Sequence, residues 1–540
     1  MLVTTVSFLG FTLLVAAISY AYTRRDRMTT WDAYFLGGRS LSAWVIAGSL
    51  MLTNLSTEHL IGLNGDAFNH TIAVTAWETT AAIAMVATAL FFLPRYLRMS
   101  LSTIPEYLAA RYDRTTGVIA ASVFLFSYVL AILPVVLLSG AAGIDSLFGL
   151  QEAFGLNQEQ VIWLLVWGVG TLGSLYAILG GLKAVAISDT INGVGFLVGG
   201  LLIPLLALIQ IGDGNPWTGL ETVYVEERPK FDITGDEPGS FLPFGALFTG
   251  MVVNQVFAWC TGQQFIQRGL GARSLKEGQK GVLIAACFKL VGPLVVVLPG
   301  VIAYHMFKDT LGPEDYLLAY PTLVKAVLPD WLTGFFAAVM VGAVLSTFNS
   351  VLNSSATLFC RDIYGSVMRP DASQREFVHA GRACSIALAV AAMLVAPMLD
   401  TSGSLYNYLQ TINAAFFGPM LAVILLGMFS ARVSAFAAKA GLVGGPVLFF
   451  LMVFAFDDPV QSFLQGVLGA NEEIHFLHFL AIVFVVVVTF MLVSARLRPA
   501  KSRDAEPGAA PVDMTPWKHA RAMGVFVSVC SIGCYLLLAQ

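Results

Sequence analysis

Charged residues are scarce in this chain. Asp, Glu, Lys and Arg make up 12% of its 540 residues, whereas hydrophobic residues make up 57%. A water-soluble domain carries about twice that charged fraction. The composition therefore excludes an ordinary soluble fold and predicts a protein whose surface faces lipid.

Other absences exclude several classes of function. The six cysteines all lie in or beside apolar runs and do not have metal-site spacing. The stretch Gly180-Gly181-Leu182-Lys183 lacks the spacing of a nucleotide-binding loop, so ATP is not the expected energy source. The net charge of −4 predicts no nucleic-acid partner. We find no catalytic nucleophile and predict that the protein is not an enzyme.

Long apolar runs are what the chain has in abundance. About 20 helical residues cross a hydrocarbon core of about 30 Å, and we identify fourteen such runs. They predict an all-α polytopic membrane protein with about 14 transmembrane helices. The runs cover residues 3–20, 43–63, 72–93, 116–137, 161–179, 184–211, 241–259, 281–304, 332–359, 381–397, 405–428, 433–456, 477–493 and 522–539.

The basic residues indicate an orientation, because Lys and Arg accumulate on the cytoplasmic side of a membrane. With the N-terminus outside, Arg228, Lys230, Lys308 and Lys325 fall outside and Lys289 lies within a span, and the remainder of the 30 basic residues are cytoplasmic. We predict a multi-pass protein of the cell (plasma or inner) membrane with both termini extracytoplasmic. The first run is followed by its basic cluster, the reverse of a cleavable signal peptide, so we expect it to be retained.

Polar residues interrupt two of the predicted spans. Span two contains residues 53–59 (TNLSTEH), and span seven contains Asn254-Gln255 and then residues 260–264 (CTGQQ). Polar groups in lipid cost several kcal/mol and persist where protein or water satisfies them. The two spans are five apart, as expected if spans two to six and seven to eleven are inverted copies that each begin with a broken helix.

These patterns predict three parts of the chain. Residues 1–30 form an additional N-terminal helix, and residues 431–540 form peripheral C-terminal helices. Residues 31–430 form the transporter core, with repeat one at about 41–211 and repeat two at about 241–429. Broken helices mark midplane binding sites in secondary transporters, so we expect the site between the repeats.

Two ionic residues lie deep within predicted spans. Glu78 is about 9 Å from the start of its span and Lys289 about 12 Å into its own, at 1.5 Å per residue. Pairing with each other, or with a ligand between them, removes the cost of two isolated charges. A carboxylate accepts from sugar hydroxyls and an ammonium donates to them, and several neighbouring polar residues can do either. These neighbours are His59, Asn54, Gln255 and Gln410, and the aromatic residues Trp77, Phe257 and Tyr406 would supply flat apolar faces.

A different interpretation remains open for these residues: a structural ion pair between helices, a buried core histidine and ordinary aromatic packing. Span nine offers Ala343, Ser346, Thr347, Asn349 and Ser350 within two helical turns. Hydroxyls and freed carbonyls can bind a hard cation, although hydroxyls in spans also bond their own helix backbone. Asp189 opens span six and could add a carboxylate to a cation site or stabilise that helix N-terminus.

Several ordered motifs resemble those of a known family. They include residues 34–39 (YFLGGR), 104–107 (IPEY), 180–182 (GGL), 259–261 (WCT), 267–268 (QR), 298–300 (LPG), 362–364 (DIY), 408–410 (YLQ) and 418–419 (GP). From about Trp31 to Met428 the sequence resembles the sodium:solute symporters, and within them the sodium/glucose and sodium/galactose cotransporters.

The resemblance implies the five-plus-five inverted-repeat fold of the leucine transporter and alternating access driven by Na⁺. It assigns the sugar site to Asn54, His59, Glu78, Gln255, Lys289 and Gln410, and the outer gate to Leu63, Trp77 and Tyr406. It assigns the main Na⁺ site to the carbonyls of Leu52, Leu55 and Ala343 and the hydroxyls of Ser346 and Thr347, with Asp189 nearby. A second Na⁺ site would use Asn349 and Ser350, but Asn349 replaces the usual Ser or Thr, so we expect one Na⁺ per cycle.

One departure from the family concerns the inner gate: Ala258 stands where relatives have a tyrosine beneath the sugar, and Phe257 is our candidate replacement. We predict Na⁺-coupled symport of a small polar solute, best a monosaccharide such as glucose or galactose. The alternatives are a Na⁺ symporter for inositol, sialic acid or another organic solute, and a sugar sensor that binds without translocating. Glu78 beside a single lysine argues against an anionic substrate.

Overall fold

The computed structural model describes residues 2–24, 30–234, 241–399, 403–468, 473–500, 510 and 512–538. Within these residues the secondary structure is helical, with two isolated β-bridges and no strand. Twelve of the described helices are long and apolar enough to cross a membrane. The predicted class, an all-α polytopic membrane protein, is confirmed.

We number the membrane helices α1 to α14 in chain order. They are α1 (Leu2–Thr23), α2 (Ala43–Asn54), α3 (Ile72–Arg98), α4 (Arg114–Phe148), α5 (158–179) and α6 (Gly180–Ile211), which are the two parts of the run Gln158–Ile211, α7 (Phe244–Leu270), α8 (Leu275–Phe307), α9 (Asp330–Met368), α10 (Gln374–Met398), α11 (Leu405–Phe429), α12 (Ala435–Ala455), α13 (Phe476–Leu497) and α14 (Ala520–Leu538). Shorter helices between them are Trp31–Phe35, Ile104–Arg111, Pro216–Glu226, Tyr316–Val327 and Asp457–Leu468.

The predicted count of fourteen spans stays a prediction, because α2 and α5 are not among these twelve helices. α2 has 12 residues before it breaks, too few to cross a membrane as one helix. α5 and α6 form one run of 54 residues, bent where Gly181 adopts φ 59° and ψ −176°. A residue with a side chain rarely adopts that positive φ, so the glycine permits the bend.

The predicted break in span two is present immediately after α2. Leu55 leaves the helical conformation with φ −78° and ψ 77°, and the chain resumes as a π-helical turn at Glu58–Leu63. Short polar side chains favour such a break because they bond locally in competition with the helix. The Ser56 hydroxyl does so here, donating to the Glu58 carboxylate at 2.5 Å. Beside the break, the backbone carbonyl of Thr53 accepts from the Thr347 hydroxyl of α9 at 2.9 Å.

The break in α7 is built around Gly262, which has φ −60° and ψ 118°. Its N–H donates back to the carbonyl of Phe257 at 2.9 Å. A Cβ at this position would lie 2.4 Å from the carbonyl oxygen of Ala258, so the tight connection requires glycine. Beyond it, every residue of the second half of α7, Gln263–Leu270, is buried.

The interior and the lipid-facing surface are distinct. α9 lies in the centre, packed against α1, α4, α6 and α10, and residues 346–358 of α9 are buried throughout. α13 and α14 lie outside, with Val485, Phe490, Val529 and Leu536 exposed, as lipid contact requires. The division into an N-terminal helix, a core and peripheral helices stays a prediction, and residues 1, 25–29, 469–472, 501–509, 511 and 539–540 of the outer parts lie outside the described residues.

Candidate functional site

A central cavity of about 70 Å³ lies where the broken part of α2 meets α3, α7, α9 and α11. Such a volume holds several water molecules. Both predicted interruptions contribute to its wall. Its described lining comprises Thr53, Asn54, Glu58, His59, Trp77, Glu78, Ile132, Asn254, Gln255, Ala258, Trp259, Gln264, Phe265, Thr347, Val351, Tyr406, Leu409, Gln410, Asn413 and Phe417.

An ion pair stands at the edge of the cavity. The Lys289 ammonium on α8 donates to both oxygens of the Glu78 carboxylate on α3, at 2.7 and 2.8 Å. It also donates to the side-chain oxygen of Asn54 at the end of α2, and it lies 5.4 Å from the centre of the Trp259 ring. Both charged residues are at most 2% exposed. The pair therefore joins α3, α8 and the first broken helix.

A second carboxylate, Glu58, belongs to the same cavity, although we did not predict it. Its oxygen lies 3.6 Å from Nδ1 of His59, and Nε2 of His59 lies 3.8 Å from the Glu78 carboxylate. Nδ1 of His59 is buried and makes no hydrogen bond to the described residues. The signal was available in the sequence, because Glu58 lies inside the polar interruption and directly precedes His59.

Amide side chains form another part of the cavity wall. Gln410 donates to the Tyr406 hydroxyl at 2.8 Å and accepts from Asn254 at 3.3 Å. Gln255 donates to the backbone carbonyl of Trp77 at 2.9 Å, which fixes its orientation. Each of these amides keeps hydrogen-bonding capacity beyond these bonds. Five of the six predicted sugar-site residues line the cavity: Asn54, His59, Glu78, Gln255 and Gln410. The sixth, Lys289, contacts two of them, Asn54 and Glu78.

The predicted gate residues separate into two groups. Trp77 and Tyr406 line the cavity and pack edge to face, with ring centres 5.5 Å apart. Leu63 is fully buried but is not among the residues that line the cavity. Phe257 does not line it either, and stacks behind the wall on Phe417, 4.3 Å between ring centres.

Phe417, which packs against Phe257, lines the cavity, as Ala258 does. We did not predict it, because a phenylalanine in an apolar run carries no distinguishing signal. The cavity therefore has alanine at position 258, where relatives have a tyrosine, and an aromatic ring from α11, Phe417, that packs against Phe257.

Oxygen atoms of α2 and α9 converge beside the cavity. The Thr347 hydroxyl donates to the carbonyl of Thr53 at 2.9 Å and lies 3.5 Å from that of Leu52. The Ser346 hydroxyl is buried without a hydrogen bond of good geometry to the described residues, and lies near the Asp189 carboxylate. Leu55, in the break after α2, and Ala343, on α9, are fully buried. Uncharged carbonyl and hydroxyl oxygens of this kind suit a hard monovalent cation.

Asp189 has an additional partner that the sequence did not reveal. Its carboxylate accepts from the Ser49 hydroxyl at 2.6 Å and lies 3.8 Å from the guanidinium of Arg268. Ser350 bonds Thr53 at 3.1 Å and also accepts from Arg268. The side-chain oxygen of Asn349 is buried without a partner in the described part of the chain.

Comparison with known proteins places the chain in a family. The model of the sodium:solute symporter family matches residues 34–445. The chain belongs to that family. The protein is thus a Na⁺-coupled transporter of a solute, and Na⁺ is its coupling ion, as we predicted.

Several curated relatives cover most of both chains. A protein named uncharacterized symporter YidK, from Escherichia coli (strain K12), is 41% identical over 99% of this chain and 90% of its own. A sodium/glucose cotransporter of Vibrio parahaemolyticus is 30% identical over 82% of this chain and 83% of its own. Sodium/myo-inositol cotransporter 2 of Mus musculus is 28% identical over 93% and 80%.

Among solved structures, a substrate-bound outward-open state of a Na⁺-coupled sialic acid symporter is similar in fold. The TM-score is 0.76 at 19% identity, over 93% of this chain and 98% of that one. This likeness confirms the predicted fold of the core, the one shared by Na⁺-coupled transporters of the leucine-transporter type.

Proposed function

We propose that the protein carries an uncharged, hydroxyl-rich solute of monosaccharide size together with Na⁺, and that a hexose such as glucose or galactose is the solute. One observation carries the proposal. The Lys289 ammonium, bound to Glu78 and Asn54, stands beside a central cavity whose lining includes several amide side chains. Neutral hydroxyls can donate to the carboxylate and accept from the ammonium without leaving either charge unpaired.

The charges around the cavity favour a neutral passenger over an anion. Glu58 and Glu78 both line it, and none of its described lining residues is Lys or Arg. The nearby ammonium of Lys289 is already held by Glu78. A carboxylate on the solute would therefore meet two carboxylates and no free cation, at a cost of several kcal/mol.

The apolar part of the cavity wall suits the ring of a sugar. Trp77, Tyr406, Trp259 and Phe417 all line the cavity. Flat apolar faces combined with a few placed polar groups are typical of small-molecule sites. A pyranose has hydrogen atoms on its two faces and hydroxyls around its rim, so it would use both kinds of contact at once.

Coupling follows from where the cation oxygens lie. Na⁺ held by carbonyls of α2 and hydroxyls of α9 would join these two helices at the break that also holds Asn54 and His59. Solute and Na⁺ then raise each other's affinity by the same factor. One Na⁺ crossing about 100 mV supplies about 2.3 kcal/mol, which supports roughly 50-fold accumulation of solute.

The remaining parts of the proposal concern placement in the cell. We place the protein in the plasma or inner membrane with both termini extracytoplasmic, on the distribution of basic residues. The end of the cavity lined by Trp77 and Tyr406 is then the outer gate, and the end lined by Phe417, which Phe257 contacts, is the inner gate.

Myo-inositol is the second candidate solute, because a relative that matches 93% of this chain bears that name. It is also a neutral ring with hydroxyls around its rim, so the same wall would accept it. It lacks the ring oxygen and the hydroxymethyl arm of a hexose. A site that binds both a hexose and myo-inositol must therefore recognise them by their hydroxyls alone.

Uptake into proteoliposomes separates these possibilities. The panel is labelled glucose, galactose, myo-inositol and sialic acid, each with an inward Na⁺ gradient and, as the control, with K⁺ replacing Na⁺. We expect Na⁺-dependent uptake of a hexose and counterflow from vesicles preloaded with unlabelled hexose. Uptake of sialic acid alone would overturn the proposed solute class, and hexose binding without counterflow would indicate a sensor.

A further inference from the structure

The last helix of the chain, α14, contacts the core through one face. Its buried residues recur every three or four positions, at Ala520, Gly524, Val527 and Ser531. Exposed residues lie between them, at Val525, Phe526, Val529 and Leu536. A Cβ on Gly524 would lie 2.9 Å from the side chain of Val86 on α3, so the glycine permits a close approach of the two helices. α14 is therefore packed tightly on α3.

Two hydroxyls of α14 bond α3 beside the ion pair. The buried Ser531 hydroxyl donates to the backbone carbonyl of Thr79 at 2.7 Å. The Tyr535 hydroxyl accepts from the Thr79 hydroxyl at 3.0 Å. Thr79 directly follows Glu78 in the chain. α14 therefore holds the turn of α3 that carries the carboxylate.

α14 and the segment before it also contact α8. The sulfur of Met523 lies 3.9 Å from that of Cys287 on α8. The backbone N–H of Trp517 donates to the side-chain oxygen of Gln279 on α8 at 2.8 Å, and the amide of Gln279 donates to the Ala89 carbonyl of α3 at 3.1 Å. Ala89 and Thr79 are about 15 Å apart along α3 at 1.5 Å per residue. The C-terminal segment therefore joins α3 and α8 over a large part of their length.

The ion pair depends on the spacing of these same two helices. Lys289 on α8 donates to both oxygens of Glu78 on α3, at 2.7 and 2.8 Å, and such bonds are lost when the two atoms separate by about 1 Å. A Cβ on Gly292 of α8 would lie 2.5 Å from Oε2 of Glu78, so the carboxylate lies directly against the backbone of α8. A small shift of α3 relative to α8 would therefore displace the pair.

We propose that α14 is a brace for the solute site, in which Ser531 and Tyr535 are positioning residues that hold Glu78 opposite Lys289. Neither positioning residue is part of the described lining of the central cavity, so both act on the solute through α3. The inference rests on the solute-binding role of the ion pair in the proposed function and not on the identity of the solute. The last helix is then peripheral in position and still required for solute affinity.

Uptake kinetics in proteoliposomes provide the first test. Ser531→Ala and Tyr535→Phe each remove one hydroxyl, and we expect the KM for solute to rise about threefold in each variant and about tenfold in the combined variant, at an unchanged maximal rate. Ser122→Ala is the matched control, because the exposed Ser122 hydroxyl bonds the Val118 carbonyl of its own helix at 2.9 Å. Its KM should be unchanged. A combined variant with the wild-type KM would overturn the inference.

The contact between Tyr535 and Thr79 can be tested from both sides. Thr79→Val removes the other hydroxyl of this hydrogen bond and should raise KM by about the same factor as Tyr535→Phe. The two changes together should raise KM no further, because the single hydrogen bond is already lost. A combined rise equal to the product of the two single rises would contradict the role assigned to Tyr535.

A second measurement needs no solute. Glu78→Gln with Lys289→Met removes the ion pair and leaves no unpaired charge. In that background, Ser531→Ala with Tyr535→Phe should lower the midpoint of thermal unfolding in detergent by less than it does in the otherwise unaltered protein, because part of its effect there is on the ion pair. Equal shifts in the two backgrounds would show that α14 only packs against the core and would overturn the inference.

These outcomes are distinguishable from a failure of the proposed function. The kinetic test uses the labelled solute of the uptake panel that the wild type carries, so a carrier of myo-inositol would overturn the hexose and not the brace. Normal uptake by Lys289→Ala would overturn the role of the ion pair. Loss of uptake in Lys289→Ala with an unchanged KM in the α14 variants would overturn the brace alone. If the combined variant does not fold, Tyr535→Phe, which removes one oxygen atom, decides by the same two measurements.

Discussion

The two broken helices, α2 and α7, each begin one of the two predicted repeats. They differ in how their polar groups are bonded. At the break after α2, the Thr57 hydroxyl and Nδ1 of His59 are buried without hydrogen-bond partners in the described structure. In the second half of α7, by contrast, Gln263, Gln267 and Arg268 are 0% exposed and each is held by several hydrogen bonds.

The contacts of α7 show what satisfied polar groups do. Gln263 accepts from the backbone N–H of Ile104 and donates to the carbonyl of Ser102, both at 3.1 Å. Gln267 donates to the carbonyl of Phe35 at 2.7 Å and to Thr357 at 2.9 Å. These partners lie towards the end of the molecule that bears the predicted cytoplasmic residues.

The comparison teaches that a polar interruption in a span has two possible meanings. Polar atoms that lack partners are available to a ligand, and we assign that role to the break after α2. Polar atoms that are fully paired bind one helix to its neighbours, and we assign that role to the second half of α7. We call this segment, Gln263–Leu270, the latch, because it would hold the inner end of the cavity closed. Four predictions, in order of expected effect, test this division.

The largest effect is expected at the ion pair. Lys289→Ala removes the donor to Glu78 and Asn54 and leaves a buried carboxylate unpaired, so we expect Na⁺-driven uptake to fall more than 100-fold. Initial rates in proteoliposomes, normalised to the amount of protein, measure this. Lys439→Ala is the matched control, because Lys439 binds Asp113 at 2.9 Å and is partly exposed, and uptake should be unchanged.

A companion variant guards against simple misfolding of Lys289→Ala. Replacing both partners, Lys289→Met with Glu78→Gln, leaves no unpaired charge and should fold. We expect it to reach the membrane and still fail to transport. Normal uptake by this double variant would show that the ion pair is structural. It would contradict the ligand-binding role that we assign to the break after α2.

The latch gives the second prediction. Gln267→Ala removes three hydrogen bonds, to Phe35, Thr357 and Ser354. At about 1 kcal/mol each, this should lower the free energy of unfolding by about 3 kcal/mol. The midpoint of thermal unfolding in detergent measures it, with Gln158→Ala as control, because Gln158 is exposed at the first residue of α5. The Na⁺ concentration for half-maximal binding should change little, and a large change would mean that α7 shares the ligand role of α2.

The cation oxygens give the third prediction. Thr347→Ala removes a hydroxyl that reaches the carbonyls of the break, and we expect the Na⁺ concentration for half-maximal uptake to rise about tenfold, or about 1.4 kcal/mol. Thr333→Ala, on the same helix, removes a hydroxyl that bonds the Pro329 carbonyl at 3.2 Å and should leave the Na⁺ dependence unaltered. Equal Na⁺ dependence in both variants would remove α9 from the cation site.

The smallest effect is expected at the amide wall. Gln410→Ala removes a neutral hydrogen-bonding group, and such bonds contribute about 0.5 to 1.5 kcal/mol, so the KM for solute should rise about 2- to 12-fold. Tyr408→Phe is the control on α11, because its ring is 37% exposed. A rise in KM for Tyr408→Phe as large as for Gln410→Ala would indicate a change in α11 packing and not the loss of a contact.

Sequence reasoning found the interruptions and the buried charges, because lipid makes polar residues conspicuous. Glu78 and Lys289 could be identified as a pair since each alone would be an isolated charge in hydrocarbon. Glu58 lay in the same stretch and was missed, because a carboxylate near the end of a span can also face water. Phe417 was missed because aromatic residues in spans are common and their direction depends on helix rotation.

Arg268 shows the limit most clearly. As part of residues 267–268 it was used as a family motif and counted among the cytoplasmic basic residues, whereas the structure buries it completely against Asp189. Charge alone cannot tell an arginine at a membrane surface from one inside the protein. The deciding factor is whether other helices bring a carboxylate and hydroxyls to it.

The amino-acid sequence by itself determined the class of this protein: apolar runs of membrane length require helices, since every backbone group in lipid must be bonded internally. It also determined where two of those helices break, because polar residues and glycine interrupt them. Only the tertiary structure decided which of the released polar groups remain available and which are bound by neighbours. That depends on distances between helices far apart in the chain, which no local pattern encodes.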